Sequence, residues 1–203
     1  MMATVRKVYR RLRYGKPVIV VSGLPRSGTS MVMQMLETGG LPVVTDWVRQ
    51  ANEDNPRGYY EYERVKNLHR DNDRAWVRDA RGKAIKVISY LLKDLPATNN
   101  YQVIFMERDL HEILASQAKM LERRHAANES SDERMLELYQ DHLWQVKSLL
   151  KSRPHFQTMV VEYKDVVGNP LAQAQRLCEF LGLPLGLEKM ASIVDEQLYR
   201  NRR

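Results

Sequence analysis

Short apolar runs alternate with amphipathic stretches along this chain of 203 residues. Four runs rich in β-branched or aromatic residues are typical of buried strands, and they cover residues 17–23, 83–90, 101–108 and 156–163. Helical spacing follows three of them, over residues 28–38, about 109–122 and about 170–182. This alternation predicts parallel pairing with right-handed crossovers, and therefore a three-layer α/β fold whose central parallel sheet is flanked by helices.

The stretch 130–152 has the periodicity of one long amphipathic helix. Its apolar residues recur at steps of three and four, and Ser130 and Glu133 have the spacing of a capping box. His142 falls on the apolar face, where we interpret it as a histidine of the core or its boundary. Polar, turn-rich segments at 52–58 and 124–131 predict loops.

Positive charge is concentrated at the two ends of the chain. The formal net charge is +7, but residues 1–16 hold six basic residues and no acid, and residues 200–203 add three arginines. We interpret these ends as solvated tails rather than a nucleic-acid site, although a phosphate-attracting patch near an active site is the alternative. The chain is thus divided into a basic arm over 1–16 and a single domain over 17–203.

The cysteine content and the length of the apolar runs exclude a disulfide-stabilised protein and a membrane-spanning one. Cys178 is the single cysteine, so an internal disulfide is impossible and a reducing, cytoplasmic setting fits best. The apolar runs are too short to span a bilayer, and the basic N-terminus lacks the apolar core of a secretory signal. The histidines show no metal-ligand spacing with the cysteine, so no metal is expected.

The segment VIVVSGLPRSGTSMVMQMLE carries the strongest chemical signal. Gly23 and Gly28 stand five residues apart between a strand and a helix, as in a phosphate-binding P-loop. Glycines let backbone N–H groups turn toward an anion, and the dipole of the following helix points at the same place. An ATP-hydrolysing P-loop has lysine where this chain has Thr29, and the cation of this loop is Arg26. A nucleotide phosphotransferase is therefore the weaker alternative.

A second anion site is predicted where the third strand run ends. Arg108 closes that run, and Ser116 lies two helical turns further on. The carboxyl ends of parallel strands meet at one edge of a sheet, so Arg108 and Gly28 are expected at the same edge. The alternative for Arg108 is a surface ion pair with Glu107 or Asp109.

Four segments in this order resemble the sulfotransferase superfamily. GLPRSGTS is similar to its 5′-phosphosulfate-binding loop, and ERDLHEILASQ to its 3′-phosphate motif. VVEYKDVVGNP and LCEFLGLPL are similar to the segments that follow. The resemblance implies 3′-phosphoadenosine 5′-phosphosulfate (PAPS) as donor, without a metal, and a hydroxyl or amine acceptor whose identity the sequence leaves open. The donor-binding residues that it implies are Pro25, Arg26, Ser27, Gly28, Thr29, Ser30, Arg108 and Ser116.

The resemblance does not extend to the general base, the residue that takes the proton from the acceptor. Ile88 stands at the place of the histidine in the Lys-Thr-His segment of cytosolic sulfotransferases, while Lys86 matches its lysine and is a candidate for neutralising the leaving group. Asp46 and Glu61 are the candidate bases, ahead of Glu63. A helix N-cap is the alternative for Asp46, and a strand-end structural role for Lys86. Loss of the histidine leaves a third hypothesis open, a non-catalytic nucleotide-binding protein of the same fold.

Overall fold

The fold is known from a computed structural model, which describes residues 9–46, 48, 58–123 and 131–194. Five strands form one parallel sheet in the order β2-β3-β1-β4-β5. The strands are β1 (Val18–Gly23), β2 (Val43–Val44), β3 (Ala84–Lys86), β4 (Tyr101–Glu107) and β5 (Phe156–Glu162). The predicted parallel three-layer α/β architecture is confirmed.

Eight α-helices and two 3₁₀ helices are described around the sheet. The helices are α1 (described over residues 9–14), α2 (Thr29–Thr38), α3 (Glu63–Lys66), α4 (Leu110–Arg123), α5 (Asp132–Ser152), α6 (Tyr163–Gly168), α7 (Pro170–Leu181) and α8 (Leu187–Ser192). The 3₁₀ helices span Ala75–Ala80 and Ser89–Asp94. Among the helices in these ranges, none is long and apolar enough to cross a membrane.

Strand β1 is central, and every one of its six residues is buried. A strand covered by helices on both faces has apolar side chains at successive positions, which explains the continuous apolar run of β1. Val21 pairs with Lys86 of β3 and with Ile104 of β4. This register brings the carboxyl ends of β1, β3 and β4 to one edge of the sheet.

The two faces of the sheet have separate apolar cores. On one face, Ile19 and Val21 pack with residues of α2, α6, α7 and α8. On the other face, Val18 and Val20 pack with the 3₁₀ helices and with Val146 and Leu150 of α5. Side chains of successive strand residues point to opposite faces, so one run of valines and isoleucine supplies both cores.

Two of the predicted elements have different bounds in the structure. The run 83–90 forms a strand only over Ala84–Lys86, and its second half turns into the 3₁₀ helix at Ser89. Helix α5 is capped by Ser131, whose side chain accepts a hydrogen bond from the Arg134 backbone N–H, one residue later than the capping box predicted. The second half of the predicted arm over 1–16 is described and forms α1, whose Arg10 donates to the Gln157 side chain at 2.8 Å. The loops at 52–58 and 124–131 and the end at 200–203 lie wholly or largely outside the described residues.

Candidate active site

The loop between β1 and α2 is built around two glycines with little space beside them. Gly28 adopts φ 97° at the N-cap of α2, and a Cβ there would lie 2.5 Å from Cδ2 of Tyr163. A Cβ on Gly23 would lie 2.5 Å from the Ser27 hydroxyl oxygen and 2.6 Å from the Met106 carbonyl oxygen. Both positions therefore require glycine, and the loop is compact enough to direct its backbone N–H groups inward.

Ser27 places a hydroxyl inside this loop. Its side chain is 1% exposed, and its oxygen has no hydrogen-bond partner among the described residues. A buried hydroxyl without a partner is costly unless a ligand or water satisfies it. Because α2 begins at Thr29 and its first N–H groups lack partners within the helix, the loop offers several donors to one bound anion.

Arg26 joins the two predicted anion-binding segments. This residue has φ 71°, and its Nε donates to the Ser116 hydroxyl at 3.0 Å. Its carbonyl oxygen accepts a hydrogen bond from Arg108 Nη1 at 3.2 Å. The structure thus brings Arg26, Arg108 and Ser116 into one continuous cluster rather than two separated sites.

Arg108 is held in a buried setting. Its Nε donates to Glu112 at 2.8 Å, and the two side chains are only 8% and 5% exposed. Its guanidinium lies 4.3 Å from the centroid of the Tyr163 ring, a cation–π contact. The predicted alternative, a surface pair with Glu107 or Asp109, is wrong. Lys147 contacts Glu107 instead, and Asp109 accepts hydrogen bonds from the first N–H groups of α4.

Sequence reasoning missed Glu112 and Tyr163 as neighbours of Arg108. Glu112 lies four residues after Arg108, a spacing that predicts contact on a helix, although Arg108 itself precedes α4. Tyr163 belongs to the resembling segment VVEYKDVVGNP, but sequence does not reveal that its ring covers a guanidinium. These two contacts fix the direction of Arg108 at the end of β4.

Lys86 lies beside the start of α2. Its ammonium group donates to the Ser30 hydroxyl at 3.2 Å and to the carbonyl oxygen of Tyr59. Tyr59 and Tyr60 are buried, at 6% and 4% exposure, and the Tyr60 hydroxyl donates to Glu37 at 2.6 Å. Lys86 therefore places a positive charge next to the start of α2.

Both candidate bases contact hydrogen-bond donors or a cation. Asp46 accepts hydrogen bonds from the backbone N–H groups of Glu63, at 2.6 Å, and Val48, at 3.1 Å. These bonds, led by that from Glu63, lower the pKa of Asp46. The Glu61 carboxylate lies 3.3 Å from Lys66 Nζ. The N-cap of α3 is Tyr62 rather than Asp46, although the Asp46 carboxylate accepts the backbone N–H of Glu63, the first residue of that helix.

The remaining residues at this edge have no metal-binding arrangement. Within the described ranges, no group of three or more His, Cys, Asp or Glu side chains is placed to hold a metal ion. Pro25 is exposed, while Thr29 and Ser30 begin α2 beside Gly28. The loop, Lys86, Arg108 and Ser116 therefore form a site of cations and hydroxyls, suited to an anionic ligand.

Comparison with known proteins identifies the family of this chain. A model of the sulfotransferase domain matches residues 16–203. The chain belongs to this family. No curated protein sequence gives a significant match. Family membership supports a sulfotransferase activity, and the expectation drawn from the four resembling segments is confirmed at that level.

Solved structures share the fold at low identity. The sulfotransferase domain from the curacin biosynthetic pathway has a TM-score of 0.53 at 18% identity, over 93% of this chain and 92% of its own. Sulfotransferase STF1 from Mycobacterium tuberculosis H37Rv also gives 0.53, at 16% identity, over 95% and 74%. Mouse sulfotransferase SULT7A1, solved in complex with PAP, gives 0.53 at 14% identity, over 92% and 67%.

Proposed function

We propose that this protein transfers a sulfuryl group from PAPS to a hydroxyl or amine acceptor. The observation that carries the proposal is the continuous cluster of Arg26, Arg108 and Ser116 beside a glycine loop. A donor with phosphate groups at both ends of one nucleoside needs two anion-binding sites, and the glycine loop would provide one while Arg108 and Ser116 would provide the other.

The β1–α2 loop is proposed to hold the 5′ end of the donor. The buried Ser27 hydroxyl and the N–H groups at the start of α2 would donate to the 5′-phosphosulfate. Thr29 and Ser30 would add hydroxyl donors. The residues present therefore fit the group, because the loop has donors in excess and no acidic side chain between Gly23 and Ser30.

Arg108 and Ser116 are proposed to bind the 3′-phosphate. An arginine suits this role because its planar fork makes charge-assisted bonds in a fixed direction. The Glu112 and Tyr163 contacts hold that fork before any ligand arrives, which lowers the entropy cost of binding. The structure of mouse SULT7A1 with PAP supports a nucleotide of this kind for the family.

Lys86 and Arg26 are proposed to stabilise the leaving group. As sulfur passes to the acceptor, negative charge grows on the 5′-phosphate oxygen that it leaves. A fixed cation beside that oxygen stabilises the transition state more than the ground state. Lys86, bonded to Ser30 at the start of α2, has the position for this role.

Calorimetric titration tests the proposal. We expect 3′,5′-adenosine bisphosphate to bind at micromolar concentration, and ATP–Mg²⁺ more than tenfold more weakly. Arg108→Ala is expected to weaken the bisphosphate at least tenfold and ATP little, because only the bisphosphate has a 3′-phosphate. Arg134→Ala, which removes an exposed arginine of α5, is the matched control.

The contrary results separate the other functions. Preference for ATP–Mg²⁺ would favour a phosphotransferase. Equal losses for both nucleotides in Arg108→Ala would contradict the assignment of the 3′-phosphate to this residue. Tight bisphosphate binding with no turnover of a PAPS sample would indicate a nucleotide-binding protein of the same fold.

A further inference from the structure

A histidine outside the predicted site contacts the segment where the family's base would stand. His142 Nε2 lies 2.8 Å from the Ser89 hydroxyl oxygen. Its ring stacks on Tyr90, with 3.7 Å between centroids and 15° between planes. Ser89 is 1% exposed and directly follows Ile88, the residue that occupies the place of the catalytic histidine. An imidazole is therefore present at this end of β3, supplied by helix α5.

Helix α5, which carries His142, packs against both the β1–α2 loop and the segment that follows β3. The Val87 backbone N–H donates to Val21 of β1 at 3.0 Å, so the chain leaves β3 alongside the strand that leads into the loop. Leu24 of the loop and Tyr139 of α5 share a buried cluster, and Leu143 packs against it. His142 lies between Tyr139 and Leu143 in sequence. The same helix thus contacts both the loop and the end of β3.

The approach to His142 is open. Ile88 and Tyr90, which flank Ser89, are 40% and 41% exposed. His142 is itself only partly buried, so an acceptor would approach it from solvent beside these two exposed side chains, while its Nε2 contacts the buried Ser89 hydroxyl. Tyr90 further limits rotation of the imidazole by stacking on its face.

The surroundings keep His142 neutral near pH 7. Burial lowers its pKa from the ordinary value, and Lys93 of the 3₁₀ helix adds to the effect. Tyr90, the other titratable group on that helix that contacts the ring, stays protonated because burial raises its pKa. A neutral imidazole can accept a proton, whereas Asp46 is occupied by two backbone N–H groups and Glu61 by Lys66.

We infer that His142 is the general base of the proposed transfer, held in place by Ser89 and Tyr90. This role rests on the proposed sulfuryl transfer. With Nε2–H donating to Ser89, Nδ1 carries the lone pair. The acceptor oxygen forms a bond to sulfur as its proton passes to Nδ1. The bond between sulfur and the bridging 5′-phosphate oxygen breaks, and its electron pair leaves with 3′,5′-adenosine bisphosphate.

Donor hydrolysis tests the role without knowledge of the natural acceptor. With ³⁵S-labelled PAPS and water as the acceptor, the single-turnover release of sulfate is measured from about pH 5 to pH 8. The wild-type rate should fall in acid with a midpoint below about 6.5, because the imidazole, whose pKa is lowered by burial, becomes protonated there. His142→Gln, which preserves a donor for Ser89 but not a base, should release sulfate about 100-fold more slowly and lose this pH dependence.

Two readouts distinguish a base from a structural residue. The affinity of His142→Gln for 3′,5′-adenosine bisphosphate should stay within about twofold of wild type, since the donor site is intact. Ser89→Ala keeps the imidazole but loses its anchor, so the midpoint of the pH dependence should move. His69→Gln, at an exposed histidine that is not among the proposed site residues, should match wild type in both measurements.

Other outcomes would overturn the inference. If His142→Gln released sulfate at the wild-type rate, His142 would not be the base. If the pH dependence were lost in Asp46→Asn or Glu61→Gln instead, the base would be that carboxylate. Wild-type release no faster than in buffer, or loss of bisphosphate binding in both His142→Gln and Ser89→Ala, would also exclude a base at this place. Failure of the wild-type protein to bind the bisphosphate would instead refute the proposed function.

Discussion

Gly28 and Gly40 adopt nearly the same backbone conformation in very different surroundings. Their φ values are 97° and 100°. A Cβ on Gly28 would lie 2.5 Å from the Tyr163 ring, whereas no atom of the described residues lies within 4 Å of a Cβ on Gly40. The backbone cost of an L-residue is therefore common to both, and the contact with Tyr163 is particular to Gly28.

Alanine substitution at these glycines separates the two costs. Gly40→Ala should lower the free energy of unfolding by about 1–2 kcal/mol, the cost of a left-handed conformation. Gly28→Ala should lower it by about 2–5 kcal/mol, because overpacking against Tyr163 adds to that cost. Urea denaturation measures both. Equal losses would mean that the ring moves aside freely and that the loop is not tightly packed.

At the scale of elements, the junction of β4 and α4 directs three charged residues to three different partners. Glu107 contacts Lys147 of α5, Arg108 pairs with Glu112 of α4, and Asp109 caps the start of α4. The short connection therefore anchors two helices to the end of the central strand pair. Arg108 can point toward the donor loop because its neighbours are committed elsewhere.

Removal of Glu112 tests how much this junction depends on a buried pair. Glu112→Ala should lower the free energy of unfolding by about 3–5 kcal/mol, because it leaves the buried Arg108 charge uncompensated. Glu137→Ala breaks a pair on α5 whose side chains are 64% and 66% exposed, and it should cost at most about 1 kcal/mol. Urea unfolding compares them. Similar small losses would show that solvent reaches Arg108 readily.

At the scale of the whole molecule, the two edges of the sheet differ: the candidate site lies at the carboxyl edge, and a buried histidine lies at the opposite edge. The carboxyl edge holds the loop, Lys86 and Arg108. At the opposite edge His155 is 4% exposed and lies against Tyr14, Tyr101 and Phe156. Burial lowers the pKa of His155, and the charge of Arg153 adds to this. The neutral form of this histidine is thus part of the folded state.

Stability should accordingly fall in mild acid. The unfolded histidine has a pKa near 6.5, above that of His155 in the folded protein, so the unfolded state binds more protons between the two values. The free energy of unfolding should therefore decrease as pH falls below about 6.5 and level off below the folded pKa. Urea midpoints at about pH 7.5, 6.5 and 5.5 measure this. The free energy of unfolding of His155→Phe should depend less on pH. An unchanged pH dependence would contradict the contribution of His155 to this effect.

Much of the fold follows from local sequence. Strand β1, the glycine loop and α2 were predictable because a continuous apolar run, two glycines and helical spacing each act over a few residues. The two-residue strand β2 was missed, because so short an apolar pair is recognised only by its pairing with β3. The predicted strand over 83–90 ends early for a related reason. Apolar residues do not specify whether they pair in a sheet or pack in a 3₁₀ helix.

Sequence by itself determined the residue types of the candidate anion site, which are the glycines, serines and arginines of two short segments. Only the tertiary structure decided which of them touch. Arg26 and Ser116 are 90 residues apart in sequence, and Ser89 and His142 are 53 apart. Such contacts depend on the order of strands in the sheet and on the path of α5 across it. Local patterns carry the chemistry of a residue, whereas long-range packing sets its neighbours.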